Sequence, residues 1–172
     1  MSKMRSFLRR DDGSSTIEFV IFFPMIVTIF LISFESGMIM TRGVVLDRAV
    51  DISMRELRLG TLDPMTHDSL KTEICSNASI IPDCYSSLLI ELRPISTETW
   101  TPLEGAATCV DRSEEIQPVL EFTPGGKNEM MLVRVCAVFD PFFPTSGLAA
   151  QISLDNTGAY ALVATSAYVN EP

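Results

Sequence analysis

The chain has 172 residues, of which 47% are hydrophobic and 20% are charged, and its formal net charge at neutral pH is −9. Residues 41–172 carry this negative charge, with eighteen acidic residues against nine basic ones. A surface of that charge is unsuited to nucleic acid or to anionic lipid headgroups, so we expect no nucleic-acid partner. The length that follows the N-terminal apolar run suffices for one small domain and not for two.

The first thirteen residues form a short basic leader. Four basic and two acidic side chains give residues 1–13 a net charge of +2. Positive charge beside an apolar segment stays in the cytoplasm, so we expect the N-terminus inside and the bulk of the chain outside. Residues 1–13 are therefore predicted to be a cytoplasmic leader.

An apolar run long enough to cross a bilayer follows the leader. No charged residue occurs from Phe19 to Phe34, and the apolar character resumes after Glu35. About 20 apolar residues span the hydrocarbon core, so residues 14–41 are predicted to form a transmembrane helix. A secretory signal peptide is disfavoured, because the run is too long and no small-residue cleavage site follows it.

A carboxylate interrupts the start of this run. Glu18 lies where a charge costs up to about 2.5–3.5 kcal/mol at a helix centre and less near an end. A cut after Gly13 would give Ser14 a mostly cationic α-amine one helical turn before Glu18. We interpret Glu18 as a partner for the amine of a neighbouring subunit. The alternative is a carboxylate that merely sits at the lipid headgroups.

Two other residues of the run, Pro24 and Glu35, are unusual in an apolar helix. Pro24 lacks an N–H and crowds the carbonyl of Val20, which predicts a kink or a locally melted turn. A bent segment would ease transfer from bilayer to packed fibre, although proline is also simply commoner in membrane helices. Glu35 follows Glu18 by 17 residues, about 25 Å along a helix, and is interpreted as marking the outer interface.

The sequence Gly-Ser-Ser-Thr-Ile-Glu-Phe at 13–19 resembles the class III signal of type IV pilins and pseudopilins. Its Ile-Glu-Phe portion, followed by Pro24, most resembles the TadE/TadF branch of the tight-adherence (Tad/Flp) system. The Asn-Glu-Pro ending at 170–172 also resembles the closing residues of TadE-like proteins.

This resemblance implies that a membrane-embedded prepilin peptidase cuts between Gly13 and Ser14 and that the apolar part is kept as a stalk helix. It implies assembly roles for Glu18, Phe19 and Pro24, with other pilins or pseudopilins and the inner-membrane platform of the Tad system as partners. Major pilins of that system are much shorter and lack a comparable head, so the resemblance implies a minor pseudopilin for assembly or initiation of an adhesive pilus.

The resemblance also implies a place in the cell. The protein is expected in the bacterial inner membrane as a single-pass protein, with a cytoplasmic N-terminus and a periplasmic C-terminal domain. The TadE or TadF position in the system stays open, as do entry into the surface pilus and the target of the outer domain.

The helix is predicted to continue past the membrane as an amphipathic stalk over residues 42–60. Asp51 and Arg55 stand at a supporting i,i+4 spacing on its charged face, and Gly60 is the expected stop. The predicted inner stripe consists of small and apolar residues at helical spacing: Leu46, Ala49, Val50, Ser53 and Leu57.

Residues 61–172 are predicted to form a small α+β domain. A helix is expected from residue 63 to residue 73 or 75, with Pro64 in its first turn. Strands are expected at 88–95, 118–123, 130–139 and 158–169, with a turn at 124–129 between the second and third. The simplest fold is a long N-terminal transmembrane and stalk helix on which an antiparallel sheet packs.

All four cysteines lie in this outer domain, and an even number in an oxidising compartment predicts disulfides. Four cysteines allow three pairings, and the sequence does not choose among them. The pairing of Cys75 with Cys84 and of Cys109 with Cys136 is favoured, because the first closes a short loop bounded by Pro82. Free buried thiols are an alternative, and zinc is disfavoured because the spacing is not C-x-x-C.

Two further functions stay open from the sequence. One is an unprocessed, membrane-anchored periplasmic binding module, which predicts an intact leader and indifference to loss of Glu18. The other is an exported enzyme, for which no catalytic motif is found. The single histidine, His67, is predicted to face solvent from a surface helix. We therefore expect no catalytic residue, no cofactor and no metal site.

Overall fold

A computed structural model describes residues 14–62, 64–98, 107–114, 120–144 and 158–171. Within these ranges the chain forms three helices followed by three strands. The helices are α1 (Ser14–Arg58), α2 (His67–Asn77) and α3 (Cys84–Ser87), and the strands are β1 (Leu88–Pro94), β2 (Met130–Phe139) and β3 (Tyr160–Val169).

The predicted membrane segment and stalk form one uninterrupted helix. α1 has 45 residues, which corresponds to about 67 Å at 1.5 Å per residue. Pro24 lies inside it, with helical backbone on both sides, so the locally melted turn that proline suggested does not occur. The outer domain is thus connected to the apolar segment by continuous helix.

α1 ends at the position that the sequence predicted. Gly60 adopts a left-handed conformation with φ of 67°, which glycine tolerates without steric cost. The Gly60 N–H donates to the Leu57 carbonyl at 3.0 Å, and the Thr61 N–H donates to the Glu56 carbonyl at 3.1 Å. These two bonds form a Schellman motif, which satisfies carbonyls at the helix end.

The predicted stripe of the stalk is the side of α1 that enters the core. All of its five residues are buried, and the charged residues on the opposite face are exposed. Burial of each large aliphatic side chain stabilises the fold by about 1.5–3 kcal/mol. The stripe packs with residues of α2, β1 and β2, including Leu70, Ile74, Ile90, Leu92, Val133 and Val135.

The sheet has three antiparallel strands in the order β1-β2-β3. Val133 at its centre pairs with Leu92 of β1 and with Ser166 of β3. The sheet lies on α1, as the sequence predicted. A second, smaller cluster around Leu89, Cys136 and Val138 covers the opposite face, which explains why the second half of β2 is buried on both sides.

α2 begins later than predicted. Its first residue is His67 rather than a residue at 63–64, and Thr66 caps it. The Ser69 N–H donates to the Thr66 hydroxyl oxygen at 3.1 Å, and the Thr66 N–H donates to the Ser69 hydroxyl oxygen at 3.0 Å. This reciprocal capping box fixes the start of the helix at Thr66, so Pro64 precedes the helix.

The predicted strand at 118–123 is wrong for residues 120–123, which form no strand. Residues 118 and 119 lie outside the described part of the chain. Phe122 makes one parallel bridge to Leu92. The Leu92 N–H donates to the Glu121 carbonyl, and the Thr123 N–H donates to the Leu92 carbonyl, both at 2.9 Å. This segment therefore runs along the outer edge of β1, which it partly protects, and does not form a hairpin with β2.

The four cysteines form two disulfides, Cys75–Cys84 and Cys109–Cys136. This is the pairing that the short loop around Pro82 favoured. The first links the last turn of α2 to α3. The second ties the segment before Val110 to the middle of β2, where Cys136 is buried. The first bond therefore joins two helices, and the second holds an irregular segment to the sheet.

Candidate functional site

The N-terminal part of α1 exposes a continuous apolar surface. Its most apolar window has a mean hydropathy of 2.4, and none of that window is buried. A soluble protein does not expose a patch of this kind without a partner, and α1 is long and apolar enough to cross a membrane, so this segment indicates membrane anchoring. The large exposed side chains are Ile17, Phe19, Val20, Ile21, Phe22, Phe23, Met25, Ile26, Ile29 and Phe30.

Two hydroxyl groups of this segment bond within the helix itself. Thr28 donates to the carbonyl of Pro24, and Ser33 donates to the carbonyl of Ile29, both at 2.8 Å. Polar groups in a bilayer have no water to bond, so internal bonds of this kind lower the cost of burying them in lipid.

The predicted assembly residues lie together at the start of α1. The described part of α1 starts at Ser14, Glu18 follows one turn later and is exposed, and Gly13 lies outside the described residues. Phe19 stacks on Phe23 with ring centroids 5.0 Å apart. Within the described chain, Glu18 makes no hydrogen bond or ion pair.

A second carboxylate of α1 joins the helix to the outer domain. Glu35 is 1% exposed, and its two oxygens accept the N–H groups of Phe142 at 3.1 Å and Phe143 at 3.0 Å. A buried carboxylate needs such bonds to offset its lost hydration. Glu35 is therefore an attachment point for the residues after β2, a role that the sequence analysis missed.

Arg42 lies two turns after Glu35 and completes this junction. Its side chain is buried between two rings, with the guanidinium carbon 4.5 Å from the centroid of Phe139 and 4.7 Å from that of Phe142. Cation–π contacts of this kind are stronger away from water. Arg42 also supplies positive charge in the neighbourhood of buried Glu35, which lowers the cost of burying that carboxylate.

Tyr160, at the start of β3, borders the same junction. Its ring packs against Phe139 at 5.9 Å. Burial, and secondarily the negative charge of Glu35, raises the pKa of Tyr160. The junction thus contains one buried negative charge and one buried positive charge.

A sequence signal for this junction existed. Arg42 and Glu35, with the half-buried Ile39 between them, continue the stripe of the stalk backward from Leu46 at helical spacing. The predicted stripe did not include them, and charged residues normally occupy exposed positions. Glu35 accepts two backbone N–H groups and Arg42 lies between two aromatic rings, although the buried Arg42 Nε has no hydrogen-bond partner within the described chain.

Among the described residues, ring contacts between the outer domain and α1 occur at Phe34. The Phe34 ring meets those of Phe142 and Phe143 edge-on, with centroid distances of 5.9 Å in both cases. This point lies seven residues before residue 41, the predicted end of the membrane segment. Residues 15–34, which precede it, would extend about 30 Å as a helix, the thickness of a hydrocarbon core.

The C-terminal residues attach the far end of the sheet. The Asn170 side chain donates to the Gly125 carbonyl at 2.9 Å, and its backbone carbonyl accepts from the Asn128 N–H at 3.0 Å. Glu171 pairs with Arg58 in the last turn of α1 at 2.8 Å. The turn before β2 is therefore bonded to the end of β3, beside the end of the stalk.

His67 does not simply face solvent, contrary to the sequence prediction. Its ring packs edge-on against Phe122 at 5.5 Å, because α2 begins beside the segment that borders β1. Over the residues that the structure describes, no group of three or more histidine, cysteine, aspartate or glutamate side chains is arranged to hold a metal ion.

We expect Glu35→Ala to lower the free energy of unfolding by about 2 kcal/mol, because the N–H groups of Phe142 and Phe143 lose their charged acceptor. Thermal unfolding of the full chain in detergent, followed by circular dichroism, measures this loss. The matched control is Asp47→Ala, which removes an exposed carboxylate of α1 and should change stability by less than about 0.5 kcal/mol. Equal melting temperatures for the two variants would refute the anchoring role.

Tyr168 should make the fold sensitive to alkali. Burial raises its pKa to about 12, against about 10 in an unfolded chain. The unfolded state therefore loses its proton first, so stability is unaffected below pH 10 and falls between pH 10 and 12, by up to about 2.7 kcal/mol. Tyr168→Phe should reduce this fall, as pH-dependent unfolding would measure. The half-exposed Tyr85, changed to phenylalanine, should have a smaller effect; equal effects would contradict the assignment.

The chain was compared with protein families, curated proteins and solved structures. No curated protein and no solved structure matches the chain. One family model, described as TadE-like protein, matches residues 13–55. The matched range covers Gly13, the apolar segment and the stalk up to its last turn, and leaves the outer domain unmatched. Residues 13–55 thus resemble the TadE-like family, a likeness that is consistent with a protein of the Tad pilus.

Proposed function

We propose that this protein is a minor pseudopilin of a Tad-type adhesive pilus, cut after Gly13 by a prepilin peptidase. Its α1 helix spans the inner membrane with the leader in the cytoplasm and the outer domain in the periplasm. The protein contributes to assembly or initiation of the pilus by packing α1 against the helices of other subunits. Its role is structural and not catalytic.

The observation that carries this proposal is the start of the family match. The match begins at Gly13, the residue after which the cut is proposed, and the described chain is helical from Ser14 onward. A cut there would keep Ser14–Arg58 as one helix and would give it a new α-amine at Ser14.

The surroundings of Glu18 support the subunit contact. Its carboxylate is exposed on an apolar helix and has no partner within the described chain. In the proposed assembly, the α-amine of a neighbouring Ser14 would pair with it, because an unpaired charge in a low-dielectric environment is costly. This pairing would set the register between neighbouring helices.

The attachment of the outer domain to α1 supports a structural role in assembly. It is held to α1 from Phe34 to Arg58 by the core, by Glu35 and by Glu171. A domain attached along this length moves with its helix, so packing of α1 would fix the position of the domain. The two disulfides suit the oxidising periplasm.

Co-expression with a prepilin peptidase tests the proposal. The wild-type chain should shift to higher mobility on a gel when an active peptidase is present, and Gly13→Leu should abolish the shift. Gly37→Leu is the matched control, because Gly37 is an exposed glycine of α1 whose added Cβ would meet no atom within 4 Å. This variant should be processed normally.

Two results would reject the proposal. A mobility that does not depend on the peptidase would leave an unprocessed membrane-anchored binding module as the better account. Processing of Gly13→Leu at the wild-type rate would show that the cut lies elsewhere.

A further inference from the structure

A group of aromatic side chains surrounds the point where the outer domain first meets α1. Phe34 of α1 is 43% exposed and Phe142 is 46% exposed, although both rings take part in edge-on contacts with each other. Phe143 also touches Phe34. The two phenylalanines at 142 and 143 lie between prolines, in a loop at 141–144 with the sequence Pro-Phe-Phe-Pro.

The backbone of loop 141–144 has no N–H group left for water. Pro141 and Pro144 have none to give, and those of Phe142 and Phe143 are both donated to Glu35. Unsatisfied backbone donors are the main obstacle to placing irregular chain in an apolar environment. The backbone N–H groups of loop 141–144 therefore do not present this obstacle.

The position of the loop along α1 matches the edge of a membrane. Phe34 follows Ile17 by 17 residues, about 25 Å along the helix. Apart from Glu18, Thr28 and Ser33 the intervening side chains are apolar, and most of them are exposed. Aromatic side chains are enriched where the hydrocarbon core meets the headgroups. Loop 141–144 is held at this height because Glu35, the next residue of α1, binds it.

We propose that loop 141–144 inserts into the outer-leaflet interface of the bilayer as a second membrane contact of the outer domain. The inference rests on the proposed passage of α1 through the membrane. The contact is apolar and aromatic, so it suits the interface of a zwitterionic bilayer and does not need anionic lipid, which the net negative charge of residues 41–172 would repel. It would fix the tilt of the outer domain relative to the membrane before assembly.

Quenching of tryptophan fluorescence by brominated lipid tests this contact. The single tryptophan, Trp100, is first replaced by phenylalanine, and a new tryptophan is then placed by Phe142→Trp, Phe22→Trp or Val169→Trp. Each full-length protein is reconstituted in phosphatidylcholine vesicles that contain phosphatidylcholine brominated close to the glycerol or close to the chain end. Val169 is exposed and pairs with Met130, at the other end of β2, about 30 Å from Phe139.

The expected result is a different depth for each position. Phe22→Trp should be quenched most by bromine near the chain end, Phe142→Trp most by bromine near the glycerol, and Val169→Trp by neither. Adding Glu35→Ala to the Phe142→Trp protein should reduce its quenching and leave that of Phe22→Trp unchanged, since only the loop loses its attachment.

The failures are distinguishable. Quenching of Phe22→Trp without quenching of Phe142→Trp would overturn the loop contact and leave the proposed function intact, with a neighbouring subunit as the remaining occupant of the aromatic surface. Equal quenching of Phe142→Trp and Val169→Trp would also overturn it, because the contact would not be local. No quenching at Phe22→Trp would reject the membrane passage of α1 itself.

Discussion

Glu18→Ala is expected to abolish pilus assembly while leaving membrane insertion of α1 intact. Insertion depends on the apolar side chains of residues 19–34, and removing a carboxylate makes it more favourable by up to about 2.5–3.5 kcal/mol. Assembly should fail, because the amine of a neighbouring Ser14 would be left without its partner. Breaking a pair of buried charges costs about 3–5 kcal/mol for each contact, and a fibre repeats the contact at every subunit that carries it.

Membrane fractionation and electron microscopy of surface pili measure the two halves of this prediction. The matched variants are Glu18→Gln, which keeps the shape and removes the charge, and Asp47→Ala, which removes an exposed carboxylate of the stalk. Only the first should reproduce the assembly defect. Normal piliation with Glu18→Ala would refute the charge pairing between subunits. Loss of the variant protein from the membrane would show that Glu18 acts in membrane insertion, before assembly.

Loss of the Cys109–Cys136 disulfide is expected to destabilise the outer domain by about 3.6 kcal/mol in the loop-entropy description. The bond closes a loop with a sequence separation of 27, whereas Cys75–Cys84 has a separation of 9. The same description assigns about 2.7 kcal/mol to the smaller loop. The longer loop also contains the start of β2, so loss of the Cys109–Cys136 bond should loosen the centre of the sheet.

Thermal unfolding of the two double alanine variants, in the full chain in detergent, measures this order. The Cys109→Ala, Cys136→Ala variant should melt at a lower temperature than the Cys75→Ala, Cys84→Ala variant, and reductant should lower the melting temperature of the wild type. A chain with all four cysteines replaced is the control, since reductant should not affect it. A wild-type melting temperature that reductant leaves unchanged would contradict a stabilising role for the disulfides.

Local patterns in the sequence were sufficient for much of the fold. The inner stripe from Leu46 to Leu57 repeats at helical spacing and lies in the core, and Gly60 ends α1 because only a residue that tolerates positive φ suits that position. The run of apolar residues in β2 is typical of a central strand. The favoured disulfide pairing followed from the short distance along the chain between Cys75 and Cys84.

Contacts between distant parts of the chain could not be predicted in this way. Glu35 lies 107 residues before Phe142, its hydrogen-bond partner, and a backbone N–H group leaves no mark in a sequence. The parallel bridge of Phe122 to Leu92 depends on how the chain passes the edge of β1. The start of α2 was missed for a local reason, since the capping box of Thr66 and Ser69 uses serine where glutamate or glutamine is usual.

The N-terminal residue of the membrane-extracted protein tests the central claim most directly. Intact-mass and peptide mass spectrometry should be performed on protein from cells with and without the prepilin peptidase. The account predicts a chain that begins at Ser14 when the peptidase is present and retains residues 1–13 when it is absent. A chain that keeps its leader in both strains, or one cut after α1, would contradict the assignment as a processed pseudopilin.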